Sequence, residues 1–200
     1  MNAQRRTQAD RSAATRRALV DAARTLFAAE SFAEVGTGRI VQAAGVTRGA
    51  LYYQFTDKVE LFAAVLEEIE VELMGRLTSL LVALPPGDAR DLLVAGADAW
   101  LDAATEPEVL RIVLIDGPSV LGWERWREIG LRHGLGLVTS VLADAVASGA
   151  IPKQPVEPMA HALIGALDEA ALYVARAADP VTARVDMGLV IERLVRATVS

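Results

Sequence analysis

The 200-residue sequence contains no cysteine, which excludes disulfides, thiolate metal sites and thiol redox switching. Histidine is nearly as scarce. Only His133 and His161 could supply imidazole, and two histidines without cysteine do not make a dedicated zinc site. Although 52% of the residues are hydrophobic, no run approaches the roughly 18 consecutive apolar residues of a membrane helix, so no membrane span is expected. The N-terminus is basic, but Arg16, Arg17 and Arg24 interrupt the apolar stretch that a signal peptide needs, and the expected location is the cytoplasm. No glycine-rich phosphate loop or dinucleotide fingerprint occurs. The stretch Gly117-Pro118-Ser119-Val120-Leu121-Gly122 has one residue too many for a nucleophile elbow and lacks the strand that such an elbow requires. Asp98 and Asp102 are one helical turn apart with no histidine or paired carboxylate beside them, and they are expected to be solvated. These absences leave no signature of an enzyme and none of a cofactor.

The net charge of -6 argues against a polyanion partner until the chain is divided after Lys58. Residues 1–58 hold nine Arg and Lys against five acids, a balance of +4, whereas the rest holds eleven against twenty-one, a balance of -10. Such asymmetry fits a molecule with one end that meets a polyanion and another that keeps it soluble.

Proline is absent from the first 84 residues, and all eight prolines lie from Pro85 onward, where they cut the chain into segments of helical length. Between the cuts, Ala, Leu, Glu and Arg dominate, without the alternating β-branched stretches of strands. The chain therefore reads as all-α, with about nine helices over 12–30, 37–44, 48–54, 57–83, 88–104, 106–115, 120–148, 156–178 and 181–198. Residues 1–11 read as a flexible arm.

In the first helix Leu19, Ala22, Ala23, Leu26 and Phe27 follow the rhythm of one buried stripe. Ile40, Ala43 and Ala44 then lie on a short helix, followed by Gly45, Val46 and Thr47 and a second short helix with Leu51 inward. Gly45 suits the left-handed conformation at a helix end, Val46 can plug the gap between the helices, and Thr47 can cap the next one. Helix, glycine turn and helix form the unit that lays its second helix in the major groove.

From about Thr15 to Leu61 the chain resembles the DNA-binding domain of the TetR family of repressors. The stretch AGVTRGALYYQFTDKVELF, Ala44 to Phe62, carries the resemblance: the Ala44-Gly45-Val46 turn, the Thr47 cap, Leu51-Tyr52 with Phe55, and Asp57-Lys58 opening the fourth helix. The match covers about a quarter of the chain. Val35-Gly36-Thr37-Gly38 departs from the pattern, which has Thr followed by Ser or Thr at the start of helix 2. There the cap shifts to Gly36 or Thr37. Ser31 stands where the family commonly has glycine, and it would have to tolerate strained backbone.

Thr47, Arg48, Gly49 and Ala50 form the exposed first turn of the recognition helix, where free N–H groups and the helix dipole favour phosphate. Gly49 and Ala50 keep the surface low. Arg48 is a candidate for a bidentate guanine contact worth about 1 to 3 kcal/mol, with phosphate as its alternative partner. Tyr52 and Tyr53 can offer hydroxyls to the DNA backbone, and the alternative for either is to hold helix 3 on helix 4. Asp57 and Glu60 form a capping pattern that places Lys58 where a second phosphate could be held. Thr37 completes the candidate DNA contacts. Helix 4 would link this end to the remainder.

The resemblance implies that residues 1–58 bind DNA and that residues 59–200 form a ligand-binding and dimerisation domain. Segment 159–175 is apolar or small nearly all round and needs cover on two sides. Ala162, Gly165, Ala166, Ala170 and Ala171, with Leu189 and Leu194 of the last helix, are the candidate interface of a homodimer. The alternative is a central helix inside a monomer. Trp100, Trp123, Trp126, His133, His161 and Tyr173 are candidates to line an organic-molecule pocket between helices, although each taken singly could be structural. The function read from the sequence is a ligand-responsive repressor that grips a pseudo-palindromic double-stranded operator as a homodimer and is released by a small, lipophilic effector. The rivals are a helical small-molecule-binding or catalytic protein whose N-terminal motif is vestigial, and an architectural DNA binder without a ligand.

Overall fold

The computed structural model describes residues 8–84 and 89–198, and the described residues are helical with no strand. They form α1 (Gln8–Ala29), α2 (Thr37–Ala43), α3 (Arg48–Gln54), α4 (Lys58–Ala83), α5 (Ala89–Ala103), a π-helical segment (Val109–Asp116), α6 (Gly117–Leu121), α7 (Trp123–Ala147), α8 (Val156–Arg176) and α9 (Pro180–Thr198). The expected all-α architecture is thus found, with differences at particular boundaries. α1 is already helical at Gln8, so the arm expected over residues 1–11 is not seen in its last four residues, and the rest of it lies outside the described residues.

A second difference concerns residues 106–123. Pro118 was expected to end a helix, yet it occupies the first turn of α6, where its missing N–H costs nothing. The break falls instead at Gly122, whose φ of +78° is the left-handed region that favours glycine. α7 starts on its far side.

α1, α2 and α3 pack as a three-helix unit against the first turns of α4. Leu19, Ala23 and Phe27 of α1, Ile40 of α2, Leu51 of α3 and Leu61 and Phe62 of α4 are fully or nearly fully buried together. Phe27, Phe32 and Phe62 meet with ring centroids 5.3 to 5.7 Å apart, Phe62 edge-on to both partners, a favoured aromatic arrangement. α4 continues beyond this unit and buries Val65, Leu66, Ile69, Leu73 and Leu77 at the i, i+3, i+4 spacing of a core-facing stripe.

The remaining helices gather around the far part of α4. α5 packs on α9, α7 on α8, and α8 on α9. Asp98 and Asp102, expected to be solvated, both hold Arg184 of α9, at 3.2 and 2.9 Å, and so tie α5 to α9. Among the described residues α7 is the one helix long and apolar enough by composition to cross a membrane. Its N-terminal half nevertheless carries Arg125, Arg127 and Arg132, each in an ion pair with α4 or α8.

Candidate nucleic-acid interface and internal cavity

The turn between α2 and α3 has the hydrogen bonds that the Gly45 pattern predicts. Gly45 has φ of +64°; its N–H donates to Gln42 O at 3.2 Å, and the Val46 N–H donates to Val41 O at 3.0 Å, the paired bonds of a Schellman motif. Thr47 then caps α3, its hydroxyl accepting the Ala50 N–H at 3.2 Å. α2 starts without a side-chain cap, after Gly36 in extended conformation. Ser31 carries no strain, since no non-glycine residue among those described has positive φ. Its hydroxyl and N–H both donate to the Glu34 carboxylate, at 2.6 and 3.1 Å.

This geometry leaves the start and outer face of α3 open. Thr47, Arg48 and Gly49 are exposed, and Ala50 is half-buried. Tyr53 is 79% exposed and Tyr52 47%, so both lie open at the surface of α3. The Arg48 guanidinium sits 5.7 Å from the Tyr52 ring centroid. Hydrogen bonds with Arg48 and Thr37 pull the Tyr52 phenol below its ordinary value. Thr37, Arg48 and Tyr52 thereby form one surface cluster that joins the starts of α2 and α3. The local sequence gave no sign of this link, because it depends on how the two helices cross.

Lys58 is placed differently from the expectation. Its ammonium donates to Phe32 O at 2.7 Å and Val35 O at 3.0 Å and lies 3.9 Å from the Phe32 ring centroid. Burial holds its pKa below the ordinary lysine range. The side chain ties the α1–α2 loop to α4, since two carbonyls left over from that loop need a donor. The capping pattern beside it forms by half: Asp57 accepts the Glu60 N–H at 2.9 Å, but the Glu60 carboxylate reaches Arg125 of α7, at 2.7 and 2.9 Å. Of the other cations of this end, Arg24 and Arg39 are bound by carboxylates and Arg16 lies over the Phe55 ring.

A second feature lies between α4, α5, α7 and α8. It is a cavity that offers about 110 Å³ to the centre of a water molecule, several times the roughly 10 to 15 Å³ that one water needs on that measure. Trp100 and Trp126 line it. Their indole N–H groups donate to Leu167 O at 3.3 Å and Val113 O at 2.8 Å, so the rings act as apolar wall. The other four candidates lie elsewhere. Trp123 is 58% exposed and packs on Trp126 from outside. Tyr173 is on the outer face of α8, 56% exposed. His161 is half-buried and off the wall. His133 shares a helix with Trp126, but the wall follows Trp126, Gly130, Gly134, Leu137 and Val141, which leaves the imidazole turned toward Glu67, 3.4 Å away.

The cavity also contains what the sequence reading missed: Glu70, Arg127 and Asp168. Arg127 donates to the Asp168 carboxylate. Burial pushes Asp168 up to about 6, against the downward pull of Arg127, and burial with the neighbouring Asp168 charge pushes Glu70 up to about 7. The available signal was a glutamate on the apolar stripe of α4, flanked by Ile69 and Leu73.

On the outer surface of α8 and α9, Ala162, Leu189 and Leu194 are exposed, and Gly165 and Ala166 are half-buried. Tyr173, Val185 and Val190 extend this apolar face. Ala170 and Ala171, named with them, are instead buried within the chain, at 2% and 1% exposure. Their side of α8 faces the rest of the helical core, so they belong to no outer surface.

Residues 19–65 match the family described as "Bacterial regulatory proteins, tetR family", and residues 91–198 match "Tetracyclin repressor-like, C-terminal domain". An HTH-type transcriptional regulator of Shigella flexneri, AcrR, is 39% identical over 79 residues, 40% of this chain and 36% of that protein. An HTH-type transcriptional repressor of Mycobacterium tuberculosis is 36% identical over 122 residues, 60% of this chain and 63% of its own. The chain thus spans between about a third and just under two thirds of the length of these curated relatives. The crystal structure of a regulator from Pectobacterium atrosepticum, itself assigned to the same family, superposes with a TM-score of 0.84 at 29% identity, covering 96% of this chain and 97% of that one.

Proposed function

The chain belongs to the TetR family of transcriptional regulators, and from that premise we propose that it is a repressor that binds a pseudo-palindromic operator as a homodimer and lets go when a small, lipophilic effector occupies the cavity between α4, α5, α7 and α8. In this reading residues 1–58 engage DNA, residues 59–200 hold the effector and the dimer contact, and the protein works in the cytoplasm with no reaction of its own. The observation that carries the reading is the open first turn and outer face of α3, with Thr47, Arg48, Gly49 and Tyr53 accessible on a helix that Leu51 anchors in the core. Its free amides and the guanidinium suit phosphate and guanine edges. Tyr52 joins that surface beside Arg48, and Thr37 joins it through Tyr52. Lys58 serves it indirectly, by fixing the α1–α2 loop.

Homodimerisation is supported by the exposed apolar face of α8 and α9, since contiguous apolar surface of this kind marks an association site. A two-fold pair would present two copies of α3 to successive major grooves about 34 Å apart.

The test is selection of genomic DNA fragments by the full-length protein, followed by affinity measurement on an enriched fragment. Arg48→Ala should weaken binding roughly tenfold or more while leaving the oligomeric state and the melting curve unchanged. No enriched sequence would overturn the repressor reading, and unchanged affinity in the variant would remove Arg48 from the interface.

A further inference from the structure

Apolar walls account for most of the cavity, but not for Glu70. Its side chain is 4% exposed and lines the cavity. Among the described residues nothing donates a hydrogen bond to its carboxylate and no cation pairs with it. A buried carboxylate without a partner is costly, so its place on the wall needs a reason.

The charges around it do not cancel. Arg127 is the one base of the lining, and it is bonded to Asp168. Glu70 is therefore the third charge of a cluster with one positive and two negative members. The tryptophans add no hydrogen-bond donor to the cavity, because both indole N–H groups serve backbone carbonyls. What they do add is electron-rich ring surface, which attracts cations. Space beside the carboxylate is secured by Gly130, where a Cβ would stand 3.9 Å from Glu70 Oε1; any longer side chain would extend into that gap.

We propose that the cavity takes an organic monocation, a protonated amine on an apolar body, with Glu70 as its counter-charge and hydrogen-bond acceptor. The inference rests on the effector reading of this cavity and supplies its ligand chemistry. An anion would bring like charge to Glu70 and Asp168, and its attraction to Arg127 is already offset by Asp168. A neutral molecule of the same shape leaves the Glu70 charge unmet. Since burial pushes that carboxyl up to about 7, a bound cation completes its ionisation at neutral pH.

The experiment titrates the full-length protein calorimetrically with 4-phenylbutylamine, 4-phenylbutanol and 4-phenylbutanoate, which share an apolar body and differ in charge. The amine should bind at least about tenfold tighter than either of the others, in line with a charge-assisted hydrogen bond in a desolvated site. Glu70→Gln, nearly isosteric, should abolish that preference while leaving the alcohol unaffected. Gly130→Leu should weaken amine and alcohol alike by filling the gap. Preference for the carboxylate, equal binding of all three, binding of none, or an amine preference that survives Glu70→Gln would overturn the proposal. Should a variant fail to fold, the three ligands on the unaltered protein decide. Release of the selected DNA fragment, measured in parallel, separates the two readings. Amine binding without release sinks the effector role and leaves the cation site standing, and release by the alcohol or carboxylate alone does the reverse.

Discussion

Glu70, together with Asp168, sets a pH dependence of stability. Its carboxyl ordinarily titrates near 4.5 and is pushed up to about 7 by burial, and Asp168 moves the same way, to about 6. Between these limits the folded chain keeps a proton that the unfolded chain has released, so stability is greatest at the acid end of the window and falls as pH rises through it. The carboxyls lowered by arginine partners, Glu60 and Glu72, titrate below 4.5 and act outside the window. The melting temperature should therefore be higher at pH 5.5 than at pH 8, and Glu70→Gln should remove most of that difference, about 2 kcal/mol between those two pH values for a shift of this size. A flat profile in the unaltered protein would show that Glu70 is solvated. Residues of this kind were hard to read in advance. The Gly45 turn and the Thr47 cap depend on bonds to neighbours within five positions, and the local sequence predicts them. Lys58 and Tyr52 owe their settings to partners on other elements, and Glu70 owes its own to burial beneath other helices; nothing next to them in the chain reveals this.

At the scale of the element, the π-helical segment Val109–Asp116 is the piece that composition could not announce. Its residues suit an ordinary helix, and the segment packs against α4, α8 and Trp126. Trp126 donates to Val113 O in the middle of the segment, and Gly117 follows its end at close quarters. A Cβ at Gly117 would stand 2.8 Å from Trp126 Cδ1 and 3.1 Å from Ile112 O and Leu66 Cδ1. Gly117→Ala should thus displace the cavity wall and cost about 1 to 3 kcal/mol of overpacking, seen as a lower denaturant midpoint and weaker amine binding. An unchanged midpoint would mean that the wall yields freely. Helix positions were legible from periodicity and proline spacing wherever a helix had one packed face. Faces of α8 were misjudged because a segment apolar nearly all round gives no contrast, so buried Ala170 and Ala171 could not be told from exposed Ala162.

Across the whole molecule, the apolar packing of α1, α2 and α3 on α4 is reinforced by a few polar contacts to the remaining helices. Arg24 of α1 holds Glu72 of α4 and Glu108 before the π-helical segment, with all four contacts at 2.7 to 2.8 Å. These two carboxylates raise its pKa. The Phe32 N–H donates to the buried Asp116 carboxylate at 2.9 Å. A double-mutant cycle between Arg24→Ala and Glu108→Ala should give a coupling of about 1 kcal/mol, and each single change should reduce the difference in DNA affinity with and without amine. No coupling would make Arg24 a bystander. The split into a basic end and an acidic remainder was visible in the charge balance. The fastening between them was not, because each of its contacts joins residues at least 48 positions apart.

The aromatic residues are themselves sorted by location. All four phenylalanines, Phe27, Phe32, Phe55 and Phe62, lie in or beside the three-helix unit, and all three tryptophans lie beyond residue 99. Each end of the molecule consequently carries its own spectroscopic label. Fluorine resonances of incorporated fluorophenylalanine would report one end and indole emission the other, in a single sample. Because Phe62 and the cavity glutamate share α4, the two signals should melt together as one cooperative transition; a phenylalanine signal lost several degrees earlier would show that the two ends come apart as separate units.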